Sequence, residues 1–301
     1  QKDSLKSYKD LFFIPKNKQG KDLIYFCGNS LGLQPKKTKE YIIQEIDDWK
    51  TLAVEGHFHA KNPWLPYHEM LSTSYSKLIG AKSSEVIAMN TLTVNLHLMM
   101  VSFYKPEKNK FKILIEKDAF PSDIYAVESQ IKFHGFKADE ALIKLEPRKG
   151  EYYIRQEDIE KIIKENSNEI ALILIGGVNY YTGQLFDMQK ITKVGHEHGI
   201  VVGFDLAHAI GNVKLELNKW NVDFAVWCSY KYLNSGPGAI AGAFVNERFH
   251  NVELPRFTGW WGHNKKERFL MDDKFKPIKS AEGWQLSCLL YTSDAADELL
   301  G

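Results

Sequence analysis

Two hydrophobic spacings alternate along the chain. Tyr41, Ile42, Glu45, Ile46 and Trp49 recur with the period of a helix face, and so do Tyr67, Met70, Leu71, Ser74, Leu78 and Ile79. Apolar runs of strand length occupy residues 86–89, 112–115, 142–145, 170–175, 200–204 and 224–228. Helical patterning separates most of them, at 122–133, 156–164 and 188–197. Runs that are apolar on both faces and alternate with helices predict an α/β fold, a mostly parallel sheet flanked by helices. In such sheets ligands bind beyond the carboxyl ends of the strands, so the polar residues that follow each run are where chemistry is sought.

Composition narrows the classes. A length of 301 residues allows one large domain or two modest ones. A net charge of +1 provides no field for nucleic acid or an anionic membrane, and the lysine-dense stretch from Lys105 to Lys112 reads as a solvated turn. No segment approaches the roughly 18 consecutive apolar residues of a membrane span, and the polar start is unlike a signal peptide. Cys27, Cys228 and Cys288 are an odd number without a Cys-x-x-Cys pair, which argues against a disulfide framework and for a reducing, cytoplasmic setting. The chain opens on Gln1 rather than Met, so a longer natural sequence is expected. Histidines and cysteines lack metal-ligand spacing, and no metal is expected.

Four strand ends carry polar residues. After 86–89 comes Asn90-Thr91-Leu92-Thr93-Val94-Asn95, a threonine-rich helix start that suits a phosphate or acts as a plain N-cap. After 112–115 come Phe120-Pro121-Ser122-Asp123: Ser122 or Asp123 can cap a helix, and an aromatic ring can stack on a planar heterocycle. After 200–204 comes Asp205, a partly desolvated carboxylate that either caps a turn or meets a cation such as a protonated pyridine nitrogen. After 224–228 come Ser229-Tyr230-Lys231-Tyr232 and a glycine-rich turn. Lys231 lies 26 residues beyond Asp205, the length of one strand–helix–strand unit, which predicts that both sit on neighbouring parts of one sheet edge. The pair suits pyridoxal phosphate, which needs a lysine to form an imine and an acid to keep its ring nitrogen protonated. The lysine must be able to shed its charge, which burial and a cationic ring favour.

Seven stretches, in order, carry a family resemblance: Gly28-Asn29-Ser30-Leu31-Gly32, Asn90-Thr91-Leu92-Thr93-Val94-Asn95-Leu96-His97-Leu98, Phe120-Pro121-Ser122-Asp123, Tyr181-Thr182-Gly183-Gln184, Gly203-Phe204-Asp205-Leu206-Ala207-His208-Ala209, Trp227-Cys228-Ser229-Tyr230-Lys231-Tyr232-Leu233-Asn234 and Gly259-Trp260-Trp261-Gly262-His263. From about residue 25 to 287 the chain resembles the kynureninase family, pyridoxal-phosphate-dependent enzymes of fold type I. The resemblance implies a cofactor-binding large domain over 61–287. It also implies that residues 1–60 contribute to the substrate site and to a smaller domain.

By position, the resemblance makes Lys231 the lysine bound to the cofactor and Asp205 the carboxylate facing the pyridine nitrogen. Phe120 stacks on the ring, with Pro121 and Ser122 beside it. Leu92 and Thr93 hold the phosphate, aided by Tyr230. Asp123 and His208 line the cofactor, and Trp260 approaches it from a partner subunit in a homodimer. His57, His263 and Ser30 belong to the substrate side. The implied reaction is hydrolytic Cβ–Cγ cleavage of L-kynurenine or its 3-hydroxy form, giving an anthranilate and L-alanine, in tryptophan degradation and NAD biosynthesis. Lys231 moves the α proton, and Tyr230 is either an acid in later transfers or a phosphate ligand only.

Two departures accompany the resemblance. Gly176 stands where family members often carry a hydroxyl near the cofactor, a loss of about 1 kcal/mol of binding. Residues 288–301 are unlike the family, as if a truncated chain were joined to foreign sequence. The segment expected in their place holds the rest of the small domain and an arginine for the substrate's α-carboxylate, a task suited to a bidentate fork. Nothing around Arg256 or Arg268 gives either that role. The alternatives are a non-catalytic fragment, or another enzyme of this cofactor fold such as a cysteine desulfurase. The latter wants a reactive cysteine in a mobile loop, which the three cysteines do not fit.

Overall fold

The computed structural model describes residues 3–289. Among these, seven strands form one sheet: β1 (Val86–Ala88), β2 (Lys112–Glu116), β3 (Leu142–Leu145), β4 (Ile170–Gly176), β5 (Val201–Asp205), β6 (Phe224–Trp227) and β7 (Gly242–Val245). Their order across the sheet is β1-β7-β6-β5-β4-β2-β3. β3, β2, β4, β5 and β6 run parallel, while β7 is antiparallel to both β6 and β1. Six strands therefore end at the same edge. The helices are α1 (Thr38–Leu52), α2 (Gly56–His59), α3 (Glu69–Ile79), α4 (Leu92–Phe103), α5 (Pro121–Phe133), α6 (Ala138–Ala141), α7 (Gln156–Glu165) and α8 (Met188–Glu197).

The central strand shows why the sheet is covered twice. In β4, Ile173 and Ile175 enter one core cluster with Tyr75 and Ile79 of α3, Ile159 and Ile163 of α7, and Ile191 of α8. Leu172 and Leu174, pointing the other way, join Leu96, Met99 and Met100 of α4 and Val127 and Ile131 of α5. Each such side chain, removed from water, contributes about 1.5–3 kcal/mol. Local signals place the helix ends. Pro121 opens α5 at its first position, Asp187 accepts from Lys190 N at 3.0 Å to cap α8, and Gly80 (φ +62) ends α3 in a left-handed conformation.

All six expected strands are present, within about a residue of their predicted limits, and the sheet is mostly parallel as the pattern predicts. Three features differ. β7 was not expected: Gly242 and Ala243, with Ala239 and Ala241 before them, extend the small-residue stretch after the glycine-rich turn and carry little strand signal. The segment between β5 and β6 holds turns instead of a helix, interrupted by Gly211, Asn212, Asn218 and Asn221. The stripe on α1 does form a helix, but none of its residues is buried and Trp49 is 68% exposed.

Strand β5 sits so close to β6 that Gly203, paired with Phe224, has no room for a side chain: a Cβ there would overlap the Phe224 ring. Gly203→Ala should therefore lower the unfolding free energy by about 1–3 kcal/mol, read from denaturant titration. An unchanged midpoint would mean that the ring swings aside freely and that the spacing is not fixed there.

Candidate functional site

The shared edge gathers the chemistry. Lys231, just past β6, is 8% exposed, and its Nζ donates to His208 Nε2 at 2.9 Å. Burial first, and the Lys231 charge second, hold the His208 imidazole down to about 4, against the pull of Asp205. The ring is thus a neutral acceptor that aims Nζ. Nζ lies 5.7 Å from the centroid of the Phe120 ring and 5.9 Å from that of Tyr230. Phe120 is half exposed and braced edge-on by Tyr180, with centroids 5.3 Å apart. Burial, then the neighbouring Cys228, pushes the Tyr230 phenol up to about 12, so it stays a proton donor at neutral pH.

Three buried carboxyl groups cluster at this edge. Asp205, ending β5, accepts from Ala207 N at 2.7 Å. The turn-capping reading of Asp205 is borne out, since one oxygen ties down the following turn, and the carboxyl also adjoins Asp123. Asp123, in the first turn of α5, is 6% exposed and its Oδ1 has no hydrogen-bond partner. Burial, then Asp205 and Glu116, hold it well above the ordinary carboxyl range, partly offset by Lys231. Glu116, ending β2, accepts from Gly176 N with both oxygens, at 3.1 and 3.2 Å. Burial, and less strongly Asp205, push it up to about 7.

The expected helix caps are not formed. Thr91 and Phe120, at the N-cap positions of α4 and α5, make no capping side-chain bond, and Asp123 faces the carboxyl cluster instead. The two helix starts are joined by Thr93 Oγ1 and Ser122 Oγ, 2.8 Å apart. Asn95 anchors the α4 start, donating to Met89 O at 2.8 Å and accepting from Asn90 at 3.0 Å. The result is a pair of adjacent helix N-termini with hydroxyls between them, which suits an anion.

Trp260, His57 and His263 are engaged with neighbours of their own. Trp260 donates to Arg268 O at 3.1 Å and packs on Trp261 and Phe269. His57 packs edge-on against Trp64 in α2. His263 is buried, its Nδ1 accepting from Lys276 N and its Nε2 without a partner. Ser30 is exposed in a turn whose Gly28-Asn29-Ser30-Leu31-Gly32 has the Gly-x-Ser-x-Gly spacing of a hydrolase elbow. No strand leads into that turn and no helix follows directly, so it is not one. It belongs instead to the lysine loop, because Gly32 N donates to Tyr230 O at 2.8 Å. Arg268 is committed to Trp261, 3.9 Å below its guanidinium, and Arg256 to Trp284 at 4.0 Å. His68, Glu69 and Glu282 place potential metal-ligand atoms together, but Lys265 pairs with both acids, at 2.8 and 2.6 Å. Sequence reasoning missed Glu116 and Tyr180. Glu116 ends an apolar run just as Asp205 does, a signal that was available.

The carboxyl cluster makes a pH prediction. Because the folded-state value of Asp123 is raised, its contribution to stability is complete below the unfolded-state value and is lost as pH climbs toward the folded one. Asp123→Asn, uncharged and of similar shape, should flatten the fall in melting temperature between acid and alkaline buffer. A variant that loses more stability than the parent at alkaline pH would contradict this.

Comparison with known proteins agrees with this geometry. The sequence profile of the aminotransferase class-V family matches residues 24–255. A kynureninase of Flavobacterium psychrophilum is 57% identical over 288 residues, covering 95% of this chain and 68% of that protein. One of Mus musculus is 46% identical, covering 95% of this chain and 64% of that protein. A cysteine desulfurase from Escherichia coli shares the fold, with a TM-score of 0.73 at 14% identity, over 95% of this chain and 68% of that one. The chain therefore belongs to the kynureninase family, within the class-V aminotransferases.

Proposed function

We propose that this chain carries out the kynureninase reaction, hydrolysing the Cβ–Cγ bond of L-kynurenine or 3-hydroxy-L-kynurenine with pyridoxal phosphate held at Lys231. The observation that carries the proposal is the convergence of Lys231, His208, Phe120 and the Asp123–Asp205 pair on one sheet edge, within a chain 57% identical to a kynureninase. The residues fit the cofactor. Asp123 Oδ1 is a buried acceptor with no partner, and the joined starts of α4 and α5 can take a phosphate through the Leu92 and Thr93 N–H groups and the Thr93 and Ser122 hydroxyls. Phe120, led by Pro121 into α5, offers its face to the ring, and Asp205 is read as the partner of the ring nitrogen.

When bound, the cofactor supplies an electron sink conjugated to the substrate's α carbon. This chain's own groups bind, aim and move protons. Lys231 Nζ would hold the cofactor and, when its amine is free, would take the α proton. Neutral His208 accepts a hydrogen bond from Nζ and fixes its direction. Tyr230, kept protonated by burial, would serve either as a donor in later transfers or only as a ligand of the phosphate. The anthranilate side is assigned to His57, His263 and Ser30, and Trp260 to the partner subunit of a homodimer, a reading that its partly exposed ring accommodates. A cytoplasmic location accords with this chemistry, and among the described residues no helix is long and apolar enough to cross a membrane. Residues 61–287 are read as the cofactor domain and 1–60 as a substrate-side segment, whose Gly32 N–H donates to Tyr230 O beside Lys231.

Two measurements test the proposal. Borohydride reduction of the cofactor-loaded chain should attach the cofactor to the peptide holding Lys231, and Lys231→Ala should lose both this product and anthranilate release from kynurenine. Trapping at another lysine would overturn the assignment. The second is turnover by the 301-residue chain itself. Anthranilate release would exclude the non-catalytic fragment, whereas cofactor capture without turnover would favour it, as would the commitment of Arg256 and Arg268 to tryptophan rings.

A further inference from the structure

Glu116 is a buried carboxyl that the reaction above does not use. It ends β2, and β4 lies between it and Asp205 of β5. The residue at the end of β4, level with Asp205, is Gly176. With no side chain there, the Glu116 carboxyl lies across the bare strand end, its two oxygens 3.1 and 3.2 Å from Gly176 N. A Cβ on residue 176 would sit 2.8 Å from Glu116 Oε1. Gly176 is thus a strand end occupied by a neighbour's carboxyl, and a hydroxyl residue there would have to displace it. The groups that bond Glu116 are neutral: the Gly176 N–H and the Asn179 side chain. The titratable groups that act on it are Asp205 of β5 and, through the shared corner, Asp123 of α5, which Lys231 also reaches. Among the described residues no cation pairs with it.

We propose that Glu116 is a charge-compensating positioning residue: buried across the bare end of β4, it releases a proton to solvent when a cationic ring is seated against Asp205, adding to the negative charge that holds the ring. The proposal rests on reading Asp205 as the partner of the cofactor's ring nitrogen. Its physical basis is that three carboxyls share one desolvated corner with a single lysine already bonded to His208, so an arriving cation shifts the balance toward ionisation. Burial has raised Glu116 to about 7, close enough to neutrality for this shift to exchange a proton under ordinary conditions.

The test is calorimetric titration of pyridoxal phosphate into cofactor-free protein, in buffers of different ionisation enthalpy, from about pH 6 to about pH 8. The parent should release more protons near neutrality than Glu116→Gln, which keeps the shape and the bond from Gly176. Parent and variant should bind alike at the acid end, and the parent should bind several-fold more tightly at the alkaline end. Glu116→Asp, which returns a carboxyl, should restore part of the proton release. Equal proton release by parent and Gln variant, or an affinity ratio constant with pH, overturns the proposal. So does a parent that releases no proton at all, which needs no variant to fold. The underlying reading fails separately: Asp205→Asn with unchanged cofactor affinity and absorbance would remove Asp205 as the ring's partner, and the proposal with it.

Discussion

Strands β2, β4, β5 and β6 are covered by helices on both sides, so a charged side chain along their length would lie in hydrocarbon without a partner. Charge is admitted only where the strands stop. Because five strands run parallel and β1 shares their direction, their stopping points coincide, and Glu116, Asp205 and Lys231 are pressed into one corner. The same burial that makes the sheet stable makes that corner dry, and dryness gives its groups unusual proton affinities: a neutral histidine, a phenol that keeps its proton, and two carboxyls raised by burial. Fold stability and site chemistry have a common cause.

This explains what the sequence could and could not disclose. Strand positions were legible because a doubly covered strand is apolar at every residue, and β4, from Ile170 to Gly176, is the plainest case. The placement of Asp205 and Lys231 after adjacent strands was legible because one crossover separates parallel neighbours, although that crossover proved to be turns. Glu116 escaped notice because its partners arrive from non-adjacent segments, and its meaning depends on a glycine at the end of a different strand. Trp260, His57 and His263 could be named only through family resemblance. Within this chain they pack against their own local aromatic neighbours, and no periodicity connects them to Lys231.

The helix starts teach a similar lesson. Threonine and serine at the openings of α4 and α5 read first as plain caps, and only second as ligand hydroxyls. The structure has them bonded to each other, while the N-cap side chains bond nothing in their helices. A helix start left uncapped forgoes roughly 1 kcal/mol. Leaving two of them open, side by side, is consistent with an anion completing them.

The bond from Gly32 N to Tyr230 O joins residues 198 positions apart and seats the amino-terminal turn against the lysine loop. A chain made from its amino end at about 5–20 residues per second spends roughly 10–40 s between producing the two. Throughout that interval the turn has nothing to dock on. The lysine loop thus reaches its final form late in the chain's maturation, from two segments born far apart in time.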